Sequence, residues 1–159
     1  MKLKENVLNP QTISKSGYIM GLQCPKQLYY YKYARHLADP VDDKLQKIFN
    51  FGLEVSERAT EIFPGGQLIP HDDLTPAQQV EKTLTLLQQG VTTIFEAAIY
   101  AKGLFARVDI LRREGIGWAI YEVKSSSKAK EVYRNDLALQ CHLLRTAGFH
   151  INKTALVLL

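Results

Sequence analysis

The sequence predicts an α/β fold: a mixed central sheet of about four or five strands with helices on both faces, in the order αβββαβ. Three observations carry this. Residues 93–101, 104–111 and 119–127 are apolar stretches of strand length, parted by glycine-containing turns. Residues 128–147 place Leu137, Cys141 and Leu144 at helical spacing and stop at Gly148. Residues 153–159 then return to an apolar run, which is apolar on both faces and therefore expected inside a sheet rather than at an edge.

Taken in order, residues 12–63 read as helices. Ser14 or Ser16 can cap a short one, and Pro25 suits the first turn of the next, which carries Leu28, Tyr29, Tyr31 and Lys32. Tyr29, Tyr30, Tyr31 and Tyr33, with Lys26, Lys32 and Arg35, can stack unpaired bases. The simpler reading, which we prefer, has them anchoring a helix on the core with their hydroxyls at its rim. Asp39-Pro40 opens a longer helix over 41–62, and Pro64-Gly65-Gly66 ends it. A short strand at 67–69 and a helix capped by Thr75-Pro76 and stopped by Gly90 form an insertion. His71-Asp72-Asp73 within it reads as a turn before a helix.

The length of 159 residues suits a single domain spanning 1–159, with a helical part at 1–63, the insertion at 64–91 and a sheet and helix at 92–159. An apolar share of 46% and a charged share of 23% fit a globular chain with a core. A net charge of +4 is compatible with a polyanionic partner. No apolar run reaches membrane-spanning length, and residues 1–5 lack the apolar core of a signal peptide, so no membrane partner is expected. Two cysteines, Cys24 and Cys141, point to a reducing, cytoplasmic setting rather than a disulfide scaffold.

The chemistry gathers at 104–127. Asp109, Glu122 and Lys124 interrupt otherwise apolar strands. Period-two alternation sets Glu122 and Lys124 on one face and Val123 on the other. A hairpin register that brings Asp109 beside them confines two carboxylates and an ammonium to one small space. Like charges repel there, and a hard divalent cation such as Mg²⁺ relieves the conflict through its oxygen ligands. Taken alone, a Glu-x-Lys is an ordinary solvent-facing acid–lysine pair.

Asp, a turn, then Glu-x-Lys at the end of an apolar strand before a helix resembles the PD-(D/E)XK nuclease superfamily. Gln140, in Tyr133-Arg-Asn-Asp-Leu-Ala-Leu-Gln140, resembles the additional motif of its RecB-like branch. Ile13-Ser-Lys-Ser-Gly-Tyr18 and Cys24-Pro-Lys-Gln-Leu-Tyr29 resemble the opening of RecB-like and CRISPR-associated exonuclease domains. The resemblance spans almost the whole chain. It implies a restriction-endonuclease-like core and a metal-dependent deoxyribonuclease of exonuclease type, hydrolysing phosphodiester bonds. It implies Mg²⁺ or Mn²⁺ held by Asp109, Glu122 and the carbonyl of Val123, with Lys124 positioning water. Gln140 is expected at the substrate, with Lys128, Lys130, Tyr133 and Arg134 on the DNA backbone.

Two positions depart from the family pattern. Ser56, in Gly52-Leu-Glu-Val-Ser56-Glu57, stands where a metal-ligating histidine is usual, so Glu57, or after it Glu54, is expected to serve instead. Leu144 stands where a tyrosine often follows the glutamine. Glu96 resembles an acidic residue common in the preceding strand, and either orients a neighbour or faces solvent. Some relatives hold an iron–sulfur cluster with one cysteine near Cys24 and three beyond the core, and this chain does not support one. A chain stopping at Leu159, within its apolar run, is expected to be part of a longer protein. The alternative to a nuclease is a non-catalytic nucleic-acid-binding or assembly module on the same fold. Exo- or endonuclease action, polarity, strand preference and oligomeric state stay open.

Overall fold

The computed structural model describes residues 11–158; the readings of residues 1–5 and of Leu159 lie outside them. The described chain runs β1 (Ile13–Ser14), α1 (Lys15–Gln23), α2 (Pro25–Tyr33), α3 (Asp43–Glu61), β2 (Gln67–Leu68), α4 (Pro76–Gln88), β3 (Thr93–Ala101), β4 (Leu104–Glu114), β5 (Gly117–Lys124), α5 (Glu131–Thr146) and β6 (Ile151–Leu158). It is an α/β structure with a mixed sheet ordered β2-β3-β4-β5-β6. β3, β4 and β5 are antiparallel neighbours, whereas β2 lies parallel to β3 and β6 parallel to β5. β1 adds a short parallel pairing to the first residues of β4, which brings the sheet to six strands.

Local chemistry explains the turns and helix starts. Lys102 and Gly103 both have positive φ and close the two-residue β3–β4 hairpin, whose twist such a turn matches. Gly115, at φ 59°, leads the β4–β5 turn. Ser14 caps α1 by accepting from the Gly17 N–H at 3.1 Å, and Asp42 caps α3 by accepting from the Leu45 N–H at 2.7 Å. Thr75 and Gln78 form a reciprocal capping box ahead of α4. The helix expected at 128–147 begins at Glu131, because Ser126 turns back to the Lys124 carbonyl and ends the strand.

Two layers cover the sheet. On one face Leu137, Leu143 and Leu144 of α5 pack against Ile94, Val108, Leu111 and Ile120. On the other, Val55 and Ala59 of α3, with Phe63, meet Phe95, Ile110, Tyr121 and Val123. The insertion also serves the sheet: β2 extends it, and α4 covers β3 beyond the reach of β2. There the buried Ala98 N–H donates to Thr83 Oγ1 at 2.9 Å, in place of a ladder bond.

Two expectations need correction. β6 is an end strand of the sheet among the described residues, not an interior one. Its last residues are apolar because both layers reach it: Ala155 and Val157 pack on the α3 side and Leu156 on the α5 side. The tyrosines of α2 do not anchor a core. The helix has no buried residue, and Tyr29 and Tyr33 are 59% and 60% exposed, their rings 5.3 Å apart.

Thr83→Val keeps side-chain volume and leaves the buried Ala98 N–H without an acceptor. It should lower unfolding free energy by about 1–3 kcal/mol, read by urea denaturation, while Thr83→Ser should lose less because its hydroxyl remains.

Candidate active site

The site lies where β5 parts from β4. The β4–β5 ladder runs from the turn to the pair Ile110 and Tyr121, so the next residues in the same register are Asp109 and Glu122. There a side chain takes over from the backbone: the Val123 N–H donates to Asp109 Oδ2 at 2.8 Å. Further along, β4 pairs with β1 instead, at Leu104 and Phe105. Lys15, directly after β1, begins α1 at this fork.

On the other side of β4, the residue opposite Asp109 is Glu96, between the pairs Phe95–Ile110 and Ala97–Val108. Glu96 has φ 55°, a left-handed conformation uncommon outside glycine. Side-chain alternation slips there. Ile94 shares its apolar cluster with Ala97 and Ile99, which strict period two forbids. Val108 and Leu111 share that cluster too, so both strands slip together and the pairing register survives.

Six polar side chains meet at the fork. The Lys15 ammonium lies 3.1 and 3.2 Å from the two Glu122 carboxylate oxygens, 3.5 Å from Asp109 Oδ1 and 3.8 Å from Asp136 Oδ1. Lys124 donates to Glu122 Oε1, and to Asp136 Oδ2 at 3.2 Å. The Gln140 amide nitrogen donates to Glu122 Oε2 at 2.6 Å and to Asp136 Oδ1 at 2.8 Å. Glu122 and Gln140 are both fully buried, and the Gln140 carbonyl oxygen has no hydrogen-bond partner among the described residues. Gln140 is therefore neither an exposed helical glutamine nor a free hand for substrate; its amide grips the central glutamate.

Charge is distributed unevenly over the cluster. Burial, reinforced by Glu122 and Glu96, raises Asp109 to about 7 despite Lys15 beside it. Burial also acts upward on Glu122, but Lys15 and Lys124 outweigh it and hold this carboxyl down at about 2. Asp136 is pushed up by burial and by Glu122. Burial works against the charge on both lysines, yet Asp109 and Glu122 hold Lys15, and Glu122 holds Lys124, above the ordinary ammonium value. The cluster thus keeps Glu122 ionised and brings the Asp109 carboxyl into titration near neutral pH.

Asp109, Glu122, Lys124 and Gln140 are brought together as the sequence suggests. Val123 joins through its N–H, while its side chain packs on the α3 face. Glu57 is exposed; with Ser56, Glu96, Asp109 and Val123 it lines a cavity of about 350 Å³, and it makes no ion pair among the described residues. Glu54 is engaged elsewhere, with Arg58 at 2.9 Å. Tyr133 adjoins the cluster, with the Lys124 and Lys130 ammonium groups 5.5 and 5.7 Å from its ring centre. Lys128 and Arg134 are exposed nearby on and before α5.

Lys15 and Asp136 were not among the expected site residues. Asp136 carries a faint signal, one helical turn before Gln140 on the same face. Lys15 stands within the Ile13–Tyr18 stretch, but nothing there points to its partners, which lie 94 and 107 residues away.

The oxygens of Asp109 and Glu122 converge on one point, and it is a cationic one. An all-oxygen donor set of this kind suits a hard divalent ion. Among the described residues no group of three or more His, Cys, Asp or Glu side chains is arranged to hold a metal; the Lys15 ammonium lies in the middle of these carboxylates. Cys24 and Cys141 are both free cysteines. No helix among the described residues is long and apolar enough to cross a membrane. No protein-family model matches the chain, and no curated protein matches it significantly.

The folded-state Asp109 value near 7 lies above its unfolded value of 3.8, so the folded protein binds this proton more tightly. Stability from this group therefore falls as pH rises from about 4 to about 7. Glu122 acts oppositely: held at about 2 against 4.5, it loses its contribution as pH falls below about 4.5. Thermal melts in chelator across this range should show Asp109→Asn flattening the decline between pH 4 and 7. An unchanged slope in the variant would assign that decline to another group.

Proposed function

We propose that this protein is a metal-dependent deoxyribonuclease that hydrolyses phosphodiester bonds, with a restriction-endonuclease-like core and RecB-like exonuclease character. The observation that carries the reading is the meeting of Asp109 and Glu122 at the strand fork, with Lys124 bonded to Glu122. In this reading Asp109, Glu122 and the Val123 carbonyl would hold Mg²⁺ or Mn²⁺, with Glu57 of α3 as a further oxygen ligand from the cavity it shares with Asp109. The ion, when bound, supplies charge neutralisation to the phosphodiester oxygens.

The chain's own groups do the rest. Gln140 and Asp136 fix the Glu122 carboxylate, whose buried position leaves it one orientation. Lys124 reaches the edge of the cluster, where its ammonium orients water and meets the charge that builds on the phosphate. Tyr133, Lys128, Lys130 and Arg134 contact the DNA backbone beside it, and the exposed tyrosines of α2 offer stacking surfaces to unpaired bases. The two free cysteines accord with a cytoplasmic setting.

A second reading has its own support. The Lys15 ammonium sits where the ion would sit, which favours a non-catalytic nucleic-acid-binding module stabilised by an internal cation.

The readings separate at Lys124. With Mn²⁺ or Mg²⁺ on single- and double-stranded DNA, Lys124→Ala should cut turnover by a factor of about a hundred or more while binding changes little. Lys124→Met controls for volume. Parent protein that binds DNA yet cleaves under neither metal would establish the second reading.

A further inference from the structure

Lys15 is more deeply engaged than a structural ion pair requires. One ammonium group lies within 3.8 Å of oxygens from three different carboxylates. With those three ionised, Lys15 and Lys124 leave the cluster with one uncompensated negative charge. A divalent ion entering beside Lys15 would leave an excess positive charge, and the two cations would repel at close range in a largely buried site. A divalent ion entering in place of Lys15 makes the cluster neutral.

Lys15 also has somewhere to go. It stands at the first turn of α1 and lines a cavity of about 610 Å³, next to Ser16, Arg107 and Asp109. Arg107 is half-buried, two residues before Asp109, and makes no hydrogen bond or ion pair among the described residues. A planar guanidinium left unpaired at that depth calls for an anion, and a phosphodiester matches its two-pronged geometry.

We propose that Lys15 is an exchangeable counter-ion: a divalent cation displaces it from Asp109 and Glu122, and the freed ammonium joins Arg107 in the adjoining cavity to hold the substrate phosphate. This rests on the metal-dependent reading above. It gives one residue two positions, each neutralising whichever anion lacks a partner. Metal entry and phosphate binding are thereby coupled, since the ion that fills the carboxylate site also releases a cation to the substrate.

Mn²⁺ titrated calorimetrically into the full chain tests it. Lys15→Gln, which removes the competing charge, should bind Mn²⁺ at least tenfold more tightly than the parent. Equal affinity overturns the exchange and leaves the metal site standing. If neither protein binds Mn²⁺, the metal reading fails and the exchange fails with it. Should Lys15→Gln not fold, Mg²⁺ titration of lysine-labelled parent supplies the answer: the Lys15 side-chain resonance should shift in step with metal binding, and binding without a shift overturns the proposal. Arg107→Ala should leave Mn²⁺ affinity unchanged and weaken DNA binding several-fold; unaltered DNA binding would remove the cavity from the mechanism.

Discussion

Everything at the fork depends on pairing a buried carboxylate with enough positive charge and enough hydrogen bonds to keep it ionised. Glu122 is fully enclosed, and a carboxylate cannot remain charged there unaided. Three donors from three elements make it possible: Lys15 at the start of α1, Lys124 at the end of β5 and Gln140 in α5. Because these elements are far apart in sequence, the requirement of one side chain ties the helical first part of the chain to the sheet and to α5.

Asp109 answers a different need. Where β5 leaves β4, a backbone N–H loses its ladder partner, and the Asp109 carboxylate replaces it. The same carboxylate faces Lys15, so one side chain ends a ladder and lines a charged pocket. On its other flank Glu96 adopts a left-handed backbone and the alternation of two strands shifts together. Local strain at a carboxylate row is typical of positions held by their surroundings for a purpose other than stability.

Much of this was legible in the sequence because it is periodic. Strand alternation put Glu122 and Lys124 on one face, and helical spacing with glycine stops outlined α4 and α5. What was not legible is what periodicity does not encode. The partnership of Lys15 with Asp109 and Glu122 is set by tertiary register, through β1 slotting against β4. The apolar pattern of β6 looked like an interior strand because burial from two layers writes the same pattern as burial between two strands. Four tyrosines in five positions looked like an anchor on the core, but α2 lies outside both apolar layers, with Tyr29, Tyr30 and Tyr33 exposed and Tyr31 half-buried. The proposed nuclease chemistry accordingly rests on short motifs together with the geometry of the fork.

The covering of β3 by α4 carries a consequence for how the sheet ends. Thr83 occupies a backbone donor that an incoming strand would otherwise claim, and β2 is only two residues long. That flank offers an added strand only the two residues of β2. β6 is eight residues long and pairs on one side only among the described residues. A further strand, from this polypeptide or another, thus finds the longer free edge among the described residues alongside β6, parallel or antiparallel, within reach of the layers that already clothe Leu156 and Val157.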